Sequence, residues 1–331
     1  MTRLDTDDAV ATETASECDG PRALLLEARE VPLGGVRAMS VRRALPQRDL
    51  PLVGAWCFLD RFGPQVTRMR VEPHPHIGLQ TVTWPFVGDV RHRDSVGSDV
   101  IVRRGALNLM TSGAGIAHSE YSLGAEATPL DALQLWVALP ESRRHGGPAF
   151  ERHSDLPSLT LEATAGEPGA ATVVLGTLGG ASSPATTYTP IVGAEIVVPP
   201  GSRVRVPLDP AWEHALMGVE GDLRVATHVE GADDPVDLDD EHLLYLGLTR
   251  DHIEIESTDG ARVFLLGGEP FEDDIVMWWN FVGRSHDEIV EAREAWEAGA
   301  DRFGAVVDHG DERIPAPPIP AVRLTRRKRR V

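Results

Sequence analysis

Between its two ends the chain is a succession of short runs rich in Val, Leu, Ile, Thr and Trp, separated by Gly, Pro, Asp and Ser. The runs recur about every ten residues, the pattern of strands punctuated by turns. They include Leu79–Phe86, Asp99–Val102, Leu107–Thr111, Ala132–Ala138 and Thr172–Gly176, then Glu195–Val198, Arg203–Val206, His214–Val219 and Arg262–Leu266. Several alternate with period 2, as a strand does when it buries one face and wets the other. Many short strands at even spacing predict sandwiches or barrels rather than βαβ units, so the expected class is all-β. A cluster of Arg143, Arg144, Gly146, Gly147 and Pro148 within Glu141–Pro157 is the expected linker between two β domains. Gly179–Pro184 is expected to be a second flexible point.

One helix interrupts this pattern. Ser285 followed by Glu288 forms a capping box, in which each side chain satisfies a free backbone N–H. Ile289, Ala292, Arg293 and Trp296 then share one largely apolar face, and Gly299 is placed to end the helix. The two ends read as tails. Asp5, Asp7, Asp8, Glu13, Glu17 and Asp19 crowd the first with few large apolar residues, which predicts disorder. The last runs from Pro315 through further prolines to Arg323, Arg326, Arg327, Lys328, Arg329 and Arg330, and is expected to be extended and mobile. Its basic cluster suits an acidic partner or nucleic acid, but the favoured reading is a solvated tail offsetting an acidic body.

Length and charge narrow the function. The 331 residues fit two domains at roughly 100–200 residues each. Apolar residues at 42% and charged residues at 25% are those of a chain that buries a sizeable core. A net charge of −19 repels phosphate backbones and disfavours nucleic-acid binding by the folded body. No run is long and apolar enough to span a membrane, and the polar start lacks the apolar region of a signal peptide. Only Cys18 and Cys57 are present, which excludes a disulfide framework or a Cys-rich zinc module and points to a reducing, cytoplasmic setting.

Candidate chemistry comes from histidine spacing. His74-Pro-His76 and His118-Ser-Glu120 each place two metal-capable groups two residues apart, on one face of a strand. The chain between them is long enough to return the second pair beside the first, giving three imidazoles and one carboxylate inside a barrel. Such a nitrogen and oxygen set suits Fe(II), Mn(II), Ni(II), Cu(II), Co(II) or Zn(II). The glycines of Ser112-Gly113-Ala114-Gly115 supply turns that place the second pair. His92 and Asp94 form a third same-face pair, read either as a partner behind the metal or as a hydrogen-bonded strand pair supporting Val96-Gly97. Gln80, where a carboxylate could have served, is a poor ligand.

Three words of the sequence resemble the pirins of the cupin superfamily. They are His74-Pro-His76-Ile77-Gly78-Leu79-Gln80-Thr81-Val82-Thr83-Trp84, His92-Arg93-Asp94-Ser95-Val96-Gly97 and Met110-Thr111-Ser112-Gly113-Ala114-Gly115-Ile116-Ala117-His118-Ser119-Glu120. Leu133–Val137 and Leu265–Pro270 are also similar, and the resemblance spans about 22–300, loosely between Gly146 and Val198. It implies two cupin-type, jelly-roll-like β-barrels with a C-terminal helix, and one metal held by His74, His76, His118 and Glu120. Many pirins carry Glu at the position of Gln80. The expected layout is a disordered acidic tail over 1–21, a metal-bearing barrel over 22–145, a metal-free barrel over 155–300, and a flexible tail over 310–331. The second half supports this, because His214, His228, His242 and His252 stand apart.

Two functions follow from the resemblance. Some pirins resemble quercetin 2,3-dioxygenases, which open the oxygen-bearing ring of a flavonol with a divalent metal, here expected to be Fe(II) before Mn, Ni, Cu, Co or Zn. Flavonol and dioxygen would then be the partners, with Glu120 as catalytic base and Trp56, Phe58, Phe62, Trp84 and Trp136 available as an apolar wall, though most of these are expected to be ordinary core. Other pirins are non-enzymatic regulators that act through protein partners, and a closed, apolar pocket would favour that alternative.

Overall fold

The β-rich runs form strands close to where the pattern puts them: Asp99–Val102 and Leu107–Thr111 agree at both ends, and Leu79–Val87 is one residue longer than read. This computed structural model describes residues 20–33, 39–227 and 235–326. The expectations for the acidic residues Asp5–Asp19, for Cys18, for His228 and for Arg327–Arg330 lie outside the described residues.

The first barrel pairs a seven-stranded sheet with a four-stranded one. The larger runs, in spatial order, Ala149–His153, Leu107–Thr111, Leu79–Val87, Thr128–Ala138, Trp56–Thr67, Met39–Leu45, Arg29–Leu33. The smaller runs Arg70–His76, Ile116–Ser122, Val90–Asp94, Asp99–Val102. An eight-stranded and a five-stranded sheet build the second barrel around a core of Val173, Ile196, Val206, Leu216, Ile255 and Leu265. The fold is thus two cupin β-domains with a C-terminal helix.

The seven-stranded sheet is buried on both faces, so Leu79–Val87 is buried as far as Phe86 even at Gln80, Thr81 and Thr83. Val82, Trp84, Leu107, Leu109, Leu133 and Leu135 pack on Met217, Tyr245, Phe264 and Leu266 of the second barrel. The alternate residues face the interior of their own barrel. Polar groups pin the seam between the barrels: Trp56 Nε1 donates to the Val192 carbonyl at 3.0 Å, and Trp84 Nε1 donates to Glu195 at 2.7 Å. Glu213 accepts from the Gly54 N–H at 2.7 Å and from the Tyr245 hydroxyl at 2.8 Å.

The barrels do not follow the linear order of the chain, and the expected division at 22–145 and 155–300 is crossed three times. Pro21–Glu27 pairs with His242–Gly247 and so belongs to the second barrel's sheet. Ala149–His153, inside the expected linker, pairs with Leu107–Thr111 as the edge of the first. The rest of that linker is tied down as well, since Arg144 bonds Glu141 at 2.5 Å and Glu288 of the helix. Residues from Val276 onward return to cover the first barrel, where Ile77 bridges Phe281. Gly78 permits that approach: its φ is +69°, and a Cβ would strike the Val282 carbonyl. Gly179 and Gly180, expected to be loose, form the two-residue turn of a hairpin with φ of +54° and +87°.

The helix runs His286–Glu297 with Ser285 as N-cap, accepting from the Glu288 N–H. The reciprocal half of the capping box is altered, because Glu288 accepts from the Arg284 N–H at 2.8 Å instead. Ile289, Ala292 and Trp296 are buried against Ile77, Ala117, Phe281 and Phe303. The Pro-rich segment takes the extended path expected of it, but up to Arg326 it is docked rather than free. Trp296 Nε1 donates to the Ile314 carbonyl at 2.9 Å, the Ile314 N–H donates to Pro73, and Ala316 and Leu324 are buried. No helix among the described residues is long and apolar enough to cross a membrane.

Trp296 therefore holds both the helix and the strap that crosses it. Trp296→Ala is expected to cost about 3–5 kcal/mol, the range for removing a large buried aromatic side chain. Urea unfolding checks this, and a loss below about 1 kcal/mol would show that the strap is not part of the cooperative core.

Candidate metal centre

His118 is the pivot of the site because its strand lies between two others. In the register of Ile116–Ser122 it stands opposite His74 on one side and Asp94 on the other. Glu120 stands opposite His92, and a bulge between His118 and Glu120 shifts the pairing toward Arg70–His76. Residues directly across a sheet share a face, so period-2 spacing within strands and pairing between them bring all six side chains into the barrel. Gly113, with φ of +51°, forms the turn that feeds this strand, and a Cβ there would strike the Gly146 carbonyl.

The structure brings together three of the four predicted ligands in one cluster. Ligand-capable nitrogens of His74, His76 and His118 all lie within 4.8 Å of one another, and His76 Nε2 is 3.1 Å from His118 Nε2. Glu120 joins a second, overlapping cluster with His118 and His92. The carboxylate thus sits beside the triad on the His92 side, with His118 shared.

Hydrogen bonds behind the rings fix which nitrogen faces inward. His74 Nδ1 donates to the Glu72 carbonyl at 2.9 Å, and His76 Nδ1 donates to the Asn280 carbonyl at 3.1 Å. His92 Nε2 donates to Asp94 at 3.0 Å, which leaves its Nδ1 to accept from His118 Nδ1 at 3.4 Å. In the neutral rings each Nε2 of the triad then carries a bare lone pair. Burial holds the imidazoles in that form, pushing His74 down to about 4 and His76 and His118 well below the usual histidine value. Neutral imidazole is the ligating species.

These observations fit a bound cation. Two bare nitrogens facing at 3.1 Å repel each other, and a cation shared between them removes the repulsion. The distance also suits two ligands of one transition ion, whose bonds to nitrogen run about 2.0–2.1 Å. Glu120 is buried, and desolvation raises its pKa. The Thr83 hydroxyl donates to Gln134 Oε1 at 2.9 Å and lies 3.3 Å from Glu120 Oε1. Deprotonated, Glu120 is a buried carboxylate free to ligate.

His92 and Asp94 meet both readings offered by the sequence. Asp94 accepts from the Val96 and Ser98 N–H groups at 3.0 and 2.9 Å, so it supports the loop. Burial alone would raise its pKa, but the bonds from His92 and Ser98 outweigh that and lower it. Through His92 the same carboxylate also orients His118.

Gln80 faces the other way. Its amide donates to Thr111 at 2.9 Å and to the Thr186 carbonyl at 3.2 Å, on the face turned to the second barrel. Of the proposed apolar wall, Trp136 meets the site, with its ring 5.1 Å from His76 and Phe58 stacked behind it at 3.9 Å. Trp56 and Trp84 fill the seam, and Phe62 packs with Val41 and Val90. Sequence reasoning missed Phe150, which stacks on His92 at 4.8 Å from inside the expected linker. It also missed Asn280 and His309, brought in by the returning C-terminal segment. His309 bonds Ser119 at 2.8 Å on the outside of the sheet.

In the second half, His214 is buried and lowered to about 4 by desolvation, whereas His242 and His252 pair with Asp239 and Asp251 at 2.6 Å. Among the described residues no metal-capable group of three lies within 155–300; a third group, Glu72, His309 and Glu312, joins the returning C-terminal segment to the first barrel.

Comparison with known proteins bears on the family and the fold. The pirin family profile matches residues 38–137, and that of the pirin C-terminal cupin domain matches 193–304. A Pseudomonas aeruginosa protein provisionally named a quercetin 2,3-dioxygenase is 42% identical over 88% of this chain and 89% of its own. A pirin-like protein of Caulobacter vibrioides is 33% identical over 89% of this chain and 99% of its own. The solved structure of a quercetin 2,3-dioxygenase from Acinetobacter baumannii superposes with a TM-score of 0.82 at 38% identity, covering 92% of this chain and 98% of that one.

Metal content provides the direct check. His76→Ala is expected to lose most of the bound metal while circular dichroism and the unfolding of the second barrel stay unchanged. A stoichiometric ion that survives joint substitution of His74 and His118 by Ala would place a second site elsewhere.

Proposed function

This chain belongs to the pirin family, and on that basis we propose that it is a metal-dependent dioxygenase that opens the oxygen-bearing ring of a flavonol. The observation that carries the reading is the convergence of three bare imidazole nitrogens beside a buried carboxyl group inside the first barrel. In this reading His74, His76, His118 and Glu120 hold one divalent transition metal, Fe(II) before Mn, Ni, Cu, Co or Zn. A reducing, cytoplasmic setting keeps that ion divalent. The relatives at 42% and 38% identity support the flavonol assignment by their names.

The ion would supply charge stabilisation to the substrate's oxygen atoms and a binding position for dioxygen. The chain's own residues supply the rest. Glu120 takes the proton of the flavonol hydroxyl onto a carboxylate oxygen, a step favoured by the burial that raises its pKa. Thr83 and Gln134 hold that carboxyl in place through the hydroxyl between them. Trp136 and Phe150 offer flat apolar faces on either side of the imidazoles, which suit a planar ring system. Asp94 and His92 keep His118 in the tautomer that turns Nε2 inward.

Metal analysis of protein purified without chelator, followed by oxygen uptake with a panel of flavonols, tests the proposal. Uptake by the Fe(II) or Mn(II) form is the expected result; no turnover with any metal would favour a regulatory protein acting through protein partners. Glu120→Gln separates ligation from proton transfer. Saturated with metal, this variant is expected to bind flavonol but to turn over at least about a hundredfold more slowly, within the usual cost of losing a general base. Near wild-type turnover would reject the base role and leave Glu120 a ligand.

A further inference from the structure

Asn108 is an anomaly in an otherwise well-satisfied barrel. Its side chain is buried, at 2% exposure, yet neither Oδ1 nor Nδ2 has a hydrogen-bond partner among the described residues. A buried amide left unmatched forfeits its bonds to water without replacing them, so such a residue calls for an explanation. Its direction is fixed by its strand. Leu107 and Leu109 on either side pack into the seam between the barrels, so Asn108 points the other way, into the chamber of the imidazoles.

Asn108 stands directly opposite Thr83 in the register, the same Thr83 whose hydroxyl lies 3.3 Å from Glu120. On its other side it is paired with Arg152, which is exposed, so this face of the sheet reaches solvent there. Two residues along, Phe150 lies flat against His92. An amide that can donate and accept and a flat apolar ring thus lie on one face of the sheet beside Glu120, near its exposed edge at Arg152.

Resting on the dioxygenase reading, we propose that Asn108 is a ligand-positioning and specificity residue that hydrogen-bonds a ring hydroxyl of an aromatic ligand held beside Glu120. A hydroxyl matches the vacancy because it can accept from Nδ2 and donate to Oδ1, whereas a bare carbonyl or ether satisfies only one. A site built to bond a hydroxyl discriminates strongly against the analogue that lacks it, because its own polar groups are then left unmatched. The residue therefore selects polyhydroxylated flavonols over 3-hydroxyflavone, whose rings carry no other hydroxyl.

The test compares wild type with Asn108→Leu, a near-isosteric apolar replacement, in the metal-loaded form and without oxygen. Metal content is measured first and is expected to be unchanged. Calorimetric titration should then show about a tenfold or greater loss of affinity for quercetin in the variant and little change for 3-hydroxyflavone. Equal loss for both ligands, or for neither, overturns the specificity role. Urea unfolding of the metal-free proteins adds an arm that needs no ligand. If the amide serves a ligand rather than the fold, Asn108→Leu is at least as stable as wild type, because an orphan polar group has been replaced by a packed apolar one. A destabilised variant would show that Asn108 has a structural partner, such as a fixed water, and overturns the proposal. Wild-type protein that takes up metal but binds no flavonol rejects the dioxygenase reading instead, and Asn108 is then decided by the unfolding arm alone.

Discussion

Three imidazoles can offer their Nε2 lone pairs to a common point only because each Nδ1–H is held by an acceptor behind it. The acceptors are the Glu72 carbonyl, the Asn280 carbonyl and the His92 ring, itself anchored by Asp94. Burial adds the second condition, holding the rings neutral where exposed histidines would charge and lose the capacity to ligate. Neither condition suffices by itself. A buried ring free to rotate would bond the nearest acceptor with either nitrogen, and an oriented but exposed one would titrate.

Meeting these conditions shapes the whole chain. Two acceptors come from the barrel itself, but Asn280 arrives on the segment after the second barrel, so the site is complete only when the C-terminus folds back. The helix His286–Glu297 and the strap beyond it fasten that segment against Ile77 and Ala117, close neighbours of His76 and His118 in sequence. In exchange, the first described strand, Pro21–Glu27, completes a sheet of the second barrel. The second barrel thus buttresses the seven-stranded sheet from behind while the imidazole-bearing sheet faces it across the chamber. This gives the second barrel a physical role: it keeps Val82, Trp84 and Leu133 dry, and so fixes which way Thr83 and Gln134 must point.

Much of this was legible in the sequence because it rests on local periodicity. The i, i+2 spacing of His74 with His76 and of His118 with Glu120 defines shared faces without reference to the rest of the fold. The Ser285 cap and the Ile289, Ala292, Trp296 stripe are equally local. What was missed depends on contacts between distant residues. Ala149–His153 looks like a linker because Gly146, Gly147 and Pro148 precede it, and only its pairing with Leu107–Thr111 makes it a strand that carries Phe150 to His92. The prolines after Ile314 correctly exclude helix and central strand, but no composition rule reveals that the Ile314 and Pro317 carbonyls meet Trp296 and Arg293. Gln80 was weighed as a lost ligand by its nearness to His76; strand parity across the turn at Gly78 puts it on the opposite face.

The tautomers at the site offer the most direct test. Long-range proton–nitrogen NMR correlation of the Zn(II)-loaded protein reports, for each histidine, which nitrogen binds metal and which carries the proton. The account predicts metal on Nε2 and a proton on Nδ1 for His74, His76 and His118, with His92 protonated on Nε2 and unligated. Ligation through Nδ1 at any of the three, or His92 in place of His74, would contradict it.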